Sequence, residues 1–407
     1  MRILFVSQYF PPEITAGAMR GHAFAVGLAQ RGHAVQVISE VPNHPAGVVA
    51  PGYAGRPLRR KRLDGVDVSY VWVRATPKKT LRARLTNYGS FSATATVAGI
   101  AAKRPDVILA SSPPLSAGSV GATLALRHRV PWVFDIRDLW PDAAVALGQI
   151  GEGRLLEATR RLERRLYRSA AVITTTTKPF ADRIEARGDA GKVTVIPNGT
   201  SGLFLDVGAK PREPSLLGNG DGEFTWTYAG NIGLVAGLEC AVEAARRLGR
   251  GFRLTLVGDG QRRDGLRRLA ATLPEGSVRF LDPVPPDEAA RLMRASDALL
   301  VTREPNPDLD AMVLSKLYDC CAVGRPVVVS AAGETSRLAS EADAALCVPP
   351  GDAARLADAV RELRQDADLR ERLAQQGRTF AEANTRERGA ERLERVLSDA
   401  AAQGVSG

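Results

Sequence analysis

The chain has 407 residues, of which 44% are hydrophobic and 25% charged, and these proportions are ordinary for a globular protein of two or three domains. Its formal net charge is +10, but aromatic residues make up only 5% and no nucleic-acid-binding motif is present, so nucleic acid is not an expected partner. The four cysteines show no metal-ligand spacing and are too few for a disulfide framework, which is consistent with the cytoplasm.

The first half of the chain predicts a nucleotide-type α/β domain. A buried strand at 3–7 is followed by a loop, an amphipathic helix near 19–31 and a second strand at 35–39, which together form a β-loop-α-β unit. Further strand patterns, with helical patterns between several of them, follow at 66–73, 107–110, 132–136, 171–174 and 193–196. We therefore expect a doubly wound, Rossmann-like domain over residues 1–197.

The second half of the chain begins a similar domain. A strand at 224–228 is followed by a turn and a helix at 238–248, and strand and helix patterns alternate from there to residue 383. The segment 198–222 is rich in glycine and proline and predicts a linker. A charged helix at about 384–407 can pack back on the first domain. Two such domains, 1–197 and 223–383, predict a ligand in the cleft between them.

The segment 314–330 carries the most informative side chains. Ser315 suits a helix N-cap, and Gly324 can end the helix with a positive φ before a buried strand. Lys316 and Asp319 are three residues apart and share one face of this helix. A cation beside free backbone N–H groups can hold phosphate, and a carboxylate one turn later can accept hydrogen bonds from ribose hydroxyls. The pattern predicts a nucleoside diphosphate, and the alternative is a salt bridge on a solvated helix.

Polar residues follow two strands of the first domain. Arg137 and Asp138 come directly after the strand at 132–136, where charged side chains face the ligand crevice in folds of this kind. Their alternative is a capped turn closed by an Arg–Asp pair. His44 follows another strand and is either a base, a hydroxyl-binding group or ordinary polar surface.

Glycines follow two strands of the second domain. Gly230 opens the turn Gly-Asn-Ile-Gly, and Gly258 belongs to a Gly-Asp-Gly turn. Glycine at these places allows the backbone to approach a phosphate or sugar closely, or only to turn tightly. The Gly-x-Gly spacing is incomplete for a dinucleotide site, so a nicotinamide cofactor is not expected.

Four strings occur together in this chain: Ser-Gln-Tyr-Phe-Pro-Pro-Glu at residue 7, Ser-Ser-Pro-Pro-Leu at 111, Arg-Asp-Leu-Trp-Pro at 137 and Ser-Lys-Leu-Tyr at 315. With Tyr-Ala-Gly-Asn-Ile-Gly, Leu-Val-Gly-Asp-Gly and Ile-Pro-Asn-Gly, they make nearly the whole chain resemble the retaining glycosyltransferases of family four, which have the GT-B fold. The resemblance is strongest to a branch of bacterial O-antigen and capsule enzymes that includes L-fucosamine transferases.

The resemblance implies metal-independent transfer of a hexosyl or N-acetylhexosaminyl group from UDP or GDP to a small-molecule or polyprenyl-linked acceptor. It implies retention of the anomeric configuration and no cofactor. The donor-binding positions are Gly17, Gly230, Asn231, Gly258, Val284, Arg303, Ser315, Lys316, Leu317 and Asp319. The acceptor-side positions are Glu13, His44, Arg137 and Asp138, and the catalytic positions are Arg137, Asp138 and Lys316.

This chain also departs from the family pattern. The family's paired glutamates fall on Ala311 and Asp319, and its Arg and Lys after the first strand of the second domain fall on Asn231 and Ala236. The usual cations for the diphosphate are therefore missing. We assign that charge to Lys316 and Arg303 instead.

The basic region 56–84 predicts a peripheral contact with the inner face of a membrane if the acceptor is lipid-linked, and the protein is otherwise expected in the cytoplasm. The start of the chain is too quickly polar for a signal peptide, and the apolar run at 91–102 is too short to span a bilayer. Two alternatives to a transferase remain open, a sugar-nucleotide epimerase and a non-catalytic sugar-nucleotide-binding protein.

Overall fold

A computed structural model describes residues 1–44, 46–78, 80–146, 151, 153–189, 191–218 and 222–405. The chain divides into two units, of which the first comprises Met1–Asn198 with Arg386–Gly407 and the second Gly199–Thr385. Each unit contains one mainly or wholly parallel sheet with helices between its strands. The prediction of two Rossmann-like α/β domains is therefore confirmed. Lys79, in the basic region, lies outside the described residues.

The first unit is built on an eight-stranded sheet with the order β3-β4-β2-β1-β5-β6-β7-β8. All neighbouring strands are parallel except β3 and β4, which form an antiparallel edge. The central strands are continuous apolar runs because helices cover both faces of a parallel sheet. The strands are β1 Arg2–Ser7, β2 Ala34–Glu40, β3 Leu58–Leu63, β4 Val66–Val71, β5 Val107–Ser112, β6 Trp132–Ile136, β7 Val172–Thr175 and β8 Val193–Val195.

Seven α-helices belong to this unit among the residues that the structure describes, with numbering that follows the whole chain. They are α1 Ala16–Gln30, α2 Leu81–Ile100, α3 Leu115–His128, α4 Asp142–Ala146, α5 Arg154–Ser169, α6 Lys178–Ile184 and α15 Arg386–Val405, and a π-helical turn at Glu185–Asp189 follows α6. None of the helices described in either unit is both long and apolar enough to cross a bilayer.

The terminal helix α15 packs on α1 within the first unit. Gly27 permits this close approach, because a Cβ atom there would come within 2.6 Å of the Ala390 side chain. Arg31 also pairs with Glu391 at 2.7 Å across the two helices. The last helix of the chain is thus part of the first unit, although the second unit precedes it in sequence.

The second unit is built on a six-stranded parallel sheet with the order β11-β10-β9-β12-β13-β14. Its strands are β9 Phe224–Ala229, β10 Phe252–Val257, β11 Val278–Leu281, β12 Ala298–Thr302, β13 Val327–Ser330 and β14 Ala345–Val348. Its helices are α7 Gly202–Gly208, α8 Leu238–Leu248, α9 Arg263–Ala270, α10 Pro286–Ala295, α11 Lys316–Ala322, α12 Glu334–Glu341, α13 Ala353–Gln365 and α14 Ala367–Ala383. Among the described residues, three apolar clusters form its core: one around Trp226, one around Tyr318 and a smaller one around Leu217.

The segment predicted as a linker is more ordered than its composition suggested. It carries α7 and a 3-10 helix at Pro214–Leu217, and from Gly199 onward it belongs to the second unit. Val207 and Leu217 are buried in the apolar clusters of that unit. These buried side chains order a segment that its glycines and prolines had predicted to be an irregular linker. Residues 219–221 of this segment lie outside the described residues.

Candidate functional site

In the second unit, two glycine-containing loops meet where β9 and β10 end. The Gly230 N–H donates to the carbonyl of Val257 at 2.9 Å. Gly230 and Gly258 have φ values of +137° and +132°, and a Cβ atom on Gly258 would overlap the Gly230 carbonyl. Only glycine suits this backbone, so the two loops pack tightly and leave backbone rather than side chains at this edge of the sheet.

The Lys316 ammonium lies directly against this glycine edge. Its Nζ donates to the Tyr228 hydroxyl at 2.8 Å and lies 4.4 Å from the centre of the Tyr228 ring. A Cβ atom on Gly230 would overlap the Lys316 Nζ. The Tyr228 hydroxyl in turn donates to the Asn231 carbonyl at 2.6 Å. The fold therefore brings Lys316, Gly230 and Asn231 together and orients the cation through Tyr228.

Sequence analysis missed Tyr228 because it lies in a buried strand and resembles an ordinary core residue. Its position as the second-last residue of β9, close to the carboxyl end of a parallel strand, is the signal that could have identified it. Thr200 was also missed. Its hydroxyl donates to the Asp319 carboxylate at 2.8 Å, so a group from the segment predicted as a linker orients the carboxylate predicted to bind ribose.

Three predicted donor positions have structural surroundings that bear on their roles. Leu317 is fully buried, and its N–H donates to the Leu314 carbonyl at 2.9 Å, so neither its side chain nor its N–H is available to a ligand. Ser315 precedes α11, but its backbone is helical and its side chain makes no capping hydrogen bond to that helix. Val284 is half-buried and packs beside Val257.

Arg303 is the clearest correction to the predicted site. Its side chain is buried, and the guanidinium donates to the Leu309 carbonyl at 2.7 Å and to Asp310 at 2.9 Å. Burial lowers the pKa of Arg303, and Asp310 opposes this shift. Arg303 thus holds the loop after β12, and of the two predicted phosphate-binding cations only Lys316 stays a prediction. Asp310, part of an Asp-x-Asp string, is itself engaged by this arginine.

In the first unit, Arg137 and Gly17 come together although 120 residues separate them. A Cβ atom on Gly17 would overlap Nη1 of Arg137, whose Nη2 donates to the Pro113 carbonyl at 2.9 Å. The Arg137 Nε is buried and has no hydrogen-bond partner among the described residues. Burial raises the pKa of the neighbouring Asp138 carboxyl, and the Arg137 charge opposes that shift.

Gly17→Ala is expected to lower the rate of the transfer that the resemblance implies by about tenfold or more. The new methyl group must displace the Arg137 guanidinium, and misplacement of such a group by about 1 Å can cost up to about 10²-fold. Gly89→Ala is the matched control, since Gly89 also lies in a helix and a Cβ atom there would meet nothing within 4 Å. Initial rates of both variants test the prediction. Equal rates for Gly17→Ala and the parent would show that the Arg137 position is unimportant.

A hydrogen-bonded network surrounds two buried carboxyl groups at the same end of this sheet. Glu13 Oε1 accepts the backbone N–H groups of Asn43 at 2.7 Å and His44 at 2.8 Å. Glu40 accepts from the Asn43 side chain at 2.7 Å and from Gln8 at 2.7 Å. We call the set Gln8, Glu13, Glu40, Asn43 and Asn87 the Glu13–Glu40 network. It includes Glu13 and holds the backbone of His44, both predicted acceptor-side positions.

Sequence analysis missed Gln8 and Glu40. Glu40 is the last residue of β2 and Gln8 follows the last residue of β1, so both lie at carboxyl ends of parallel strands. The rule that identified Arg137 would have identified them as well. Burial, with a smaller contribution from Glu13, raises the pKa of Glu40 from 4.5 to about 8. Burial also raises the pKa of Glu13.

The free energy of unfolding is expected to fall as the pH rises from about 4.5 to about 8. In this window the folded protein keeps a proton on Glu40 that the unfolded chain releases. Glu40→Gln should remove the contribution of Glu40 to the dependence of the free energy of unfolding on pH. That contribution is at most about 1.4 kcal/mol per pH unit. Urea unfolding over this pH range measures the slope, with Glu157→Gln on the exposed face of α5 as the control. An unchanged slope in Glu40→Gln would contradict the prediction.

Comparison with known proteins adds the family context. A model described as "Glycosyl transferase 4-like domain" matches residues 17–199, and one described as "Glycosyl transferases group 1" matches residues 210–380. The putative colanic acid biosynthesis glycosyl transferase WcaI of Escherichia coli K12 is 27% identical over 380 residues, which cover 89% of this chain and 92% of WcaI.

Solved structures share the fold over nearly the full length. Sucrose-phosphate synthase from Thermosynechococcus elongatus superposes with a TM-score of 0.78 at 18% identity, covering 99% of each chain. Anabaena Alr3699/HepE in complex with UDP and glucose superposes with a TM-score of 0.70 at 17% identity, covering 98% of this chain and 99% of that chain. At these identities the likeness shows the fold alone.

Proposed function

We infer the reaction of this chain from its family, because it belongs to the family-four glycosyltransferases of the GT-B fold, which act in bacterial glycan biosynthesis. We propose that it transfers a hexosyl or N-acetylhexosaminyl group from a nucleoside-diphosphate sugar to an acceptor, with retention of the anomeric configuration. The observation that carries the proposal is the Lys316 ammonium, which Tyr228 holds against the Gly230 loop. The nearer resemblance to the L-fucosamine branch stays a prediction.

The second unit is proposed to bind the donor. The diphosphate would lie against the Gly230 and Gly258 loops, where the backbone permits close approach and Lys316 supplies positive charge. Asp319, oriented by Thr200, would accept from the ribose hydroxyls, and Val284 would lie near the base. Fixed donors and cations of this kind stabilise a leaving diphosphate without a metal, and one of them typically contributes about 3 kcal/mol.

The first unit is proposed to bind the acceptor, with Arg137, Asp138, Glu13 and His44 on that side. In the step itself, the bond between the anomeric carbon and the diphosphate oxygen breaks as the acceptor oxygen bonds to the same carbon from the same face. The acceptor proton passes to the diphosphate, so no protein nucleophile is required. Arg137 would contact the acceptor through its guanidinium, for which the absence of a side chain at Gly17 leaves room.

A thermal-shift panel of UDP, GDP, dTDP and ADP, each with and without EDTA, tests the donor proposal. A nucleotide at about 100 times its dissociation constant should add about 2.7 kcal/mol of stability. We expect a clear shift with one of UDP or GDP that EDTA leaves unchanged and that Lys316→Ala removes. UDP is the first choice because HepE was solved with UDP bound. No shift with any diphosphate, or one that depends on a divalent ion, would contradict the proposal.

The same donor incubated without an acceptor distinguishes the alternatives. Two buried carboxyls and a histidine in the first unit are groups that an epimerase would also use. An epimerised sugar nucleotide formed without acceptor would favour the epimerase, and binding without turnover over an acceptor panel would favour a non-catalytic protein. A transferase should release the nucleoside diphosphate only when the acceptor is present, apart from slow hydrolysis.

The acceptor is proposed to be either a small soluble molecule or a polyprenyl-linked one. Basic side chains of Arg60 and Arg62 are exposed on the edge strand β3, and Trp72 after β4 and Leu81 and Leu85 in the first turns of α2 are exposed as well. Exposed basic and apolar groups together are typical of a peripheral membrane contact. Sedimentation with anionic vesicles at low salt favours the lipid-linked acceptor, and no sedimentation favours the soluble one.

A further inference from the structure

The Glu13–Glu40 network contains two buried oxygen atoms without a partner. They are Glu13 Oε2 and Gln8 Oε1, in side chains that are only 5% and 1% exposed. Gln8 is oriented with its Nε2 2.7 Å from both Glu40 Oε2 and Asn87 Oδ1, and it donates to both of these atoms. Both unpartnered atoms accept hydrogen bonds and cannot donate them, at least when Glu13 is ionised. A ligand that completes the network must supply N–H or O–H groups.

The charge of the network favours a positive ligand. Both oxygens of Glu40 already accept N–H groups, an arrangement that stabilises the ionised carboxylate, while burial opposes the charge. The titratable groups near it include Glu13 and the phenols of Tyr9 and Tyr88, with the Arg84 guanidinium acting on Tyr88 and the His44 ring against Tyr9. Within the described ranges, no lysine or arginine forms an ion pair with Glu13 or Glu40. Because two buried negative charges side by side are costly, Glu40 keeps a proton when no cation is bound, and a bound cation would favour release of that proton.

We propose that the Glu13–Glu40 network binds an ammonium group, and that its ligand is an amine-bearing sugar or cyclitol. An ammonium carries three N–H donors and one positive charge, so it can donate to unpartnered oxygens and offset carboxylate charge. The network reaches the surface at Asn43, which is half-buried, and at His44, which is exposed. The Tyr9 ring meets the His44 ring edge-on at 5.5 Å beside it and can pack against the body of such a ligand.

The identity of this ligand as the acceptor rests on the proposed function, but its binding does not. An ordinary sugar hydroxyl could also donate to the two oxygens, and would do so without changing the charge. Comparison of an amine with a hydroxyl at the same position of the same sugar therefore separates the two ligand classes. D-glucosamine and 6-amino-6-deoxy-D-glucose each differ from D-glucose at one such position.

Calorimetric titration of the full chain with these three sugars at neutral pH tests the proposal. At least one amine should bind about tenfold or more tightly than D-glucose, since a hydrogen bond to a charged group is the stronger kind. The binding enthalpy should differ between two buffers of different ionisation enthalpy, because protons are released on binding. The released proton comes from Glu40, since a bound ammonium favours the ionised carboxylate. Equal affinities for amine and hydroxyl sugars, or no saturable binding of either amine, would overturn the proposal.

Glu13→Gln is the sharpest variant because it keeps a carbonyl oxygen for the Asn43 and His44 N–H groups and places an amide donor at the unpartnered position. It should weaken amine binding by about 10- to 100-fold. Glu157→Gln on α5 should leave it unchanged, since Glu157 is exposed. Binding of the nucleoside diphosphate should be the same in Glu13→Gln as in the parent. That result shows that the variant is folded and that the donor site is distinct from the amine site. Amine binding by Glu13→Gln as tight as by the parent would refute the assignment.

Discussion

Replacing Lys316 by alanine is expected to lower the rate of sugar transfer by a factor of about 10² to 10³, the usual cost of losing one fixed group that stabilises developing charge. The Lys316 Nζ is held by the Tyr228 hydroxyl and ring, and it lies against Gly230 at the end of β9. Since Arg303 is engaged by Leu309 and Asp310, it is not positioned to replace the lost charge.

Steady-state kinetics with varied donor measures this effect. Because the diphosphate gains charge as the bond to the sugar breaks, we expect a fall in kcat as well as in kcat/KM. Lys210→Ala is the matched control, since it removes an exposed lysine from the same unit. Turnover of Lys316→Ala within a few-fold of the parent would show that Lys316 does not stabilise the leaving group.

Arg20→Met should lower the free energy of unfolding of the first unit by about 3 to 5 kcal/mol, the cost of removing one partner of a buried ion pair. Arg20 and Asp135 are each 2% exposed, and their charged atoms lie 3.3 Å apart. Arg20 also donates to the carbonyls of Ile196 at 2.8 Å and Pro197 at 2.7 Å, where the chain leaves the sheet. Methionine keeps an unbranched apolar stem beside Phe24 but leaves Asp135 charged and both carbonyls without this donor.

Arg31→Met provides the matched control for this variant. It is the same substitution immediately after the same helix, but Arg31 is 26% exposed and pairs with Glu391 across to α15. Such a partly exposed pair is worth at most about 1 kcal/mol. Urea unfolding measures both variants, and hydrogen exchange assigns the transition to the first unit, because the chain has two units and need not unfold in one step. Equal losses of stability in the two variants would contradict the role of the buried pair.

The sequence predicted the repeated strand and helix pattern and the side chains that follow several strands. These are local properties. An apolar run of five residues, a glycine after it and an amphipathic helix can be recognised without knowledge of the rest of the chain. Arg137 was recognised in this way, and so was Lys316 at the start of α11. The strings that resemble family four extended this prediction to the reaction, and the family models confirmed that the chain is a glycosyltransferase.

The roles of individual side chains were predicted less well. Arg303 was assigned to the diphosphate because it is a cation after a strand, but the loop that follows β12 folds over it and occupies its guanidinium. Leu317 neighbours Lys316 in sequence, but the helix turns it into the core. Whether a charged group faces a ligand or another part of the protein depends on residues that pack against it from elsewhere in the chain.

By itself the sequence determined the two-domain α/β architecture and the edges of the sheets where function is expected, because hydrophobic periodicity and turn residues act over a few positions. Only the tertiary structure decided which distant groups meet. In the structure Lys316 donates a hydrogen bond to Tyr228, and the Arg137 guanidinium lies against Gly17. Gln8, Glu40 and Glu13 belong to one hydrogen-bonded network. The physical reason is that parallel strands far apart in sequence end at one edge of a sheet, where burial forces their polar atoms to find partners in one another.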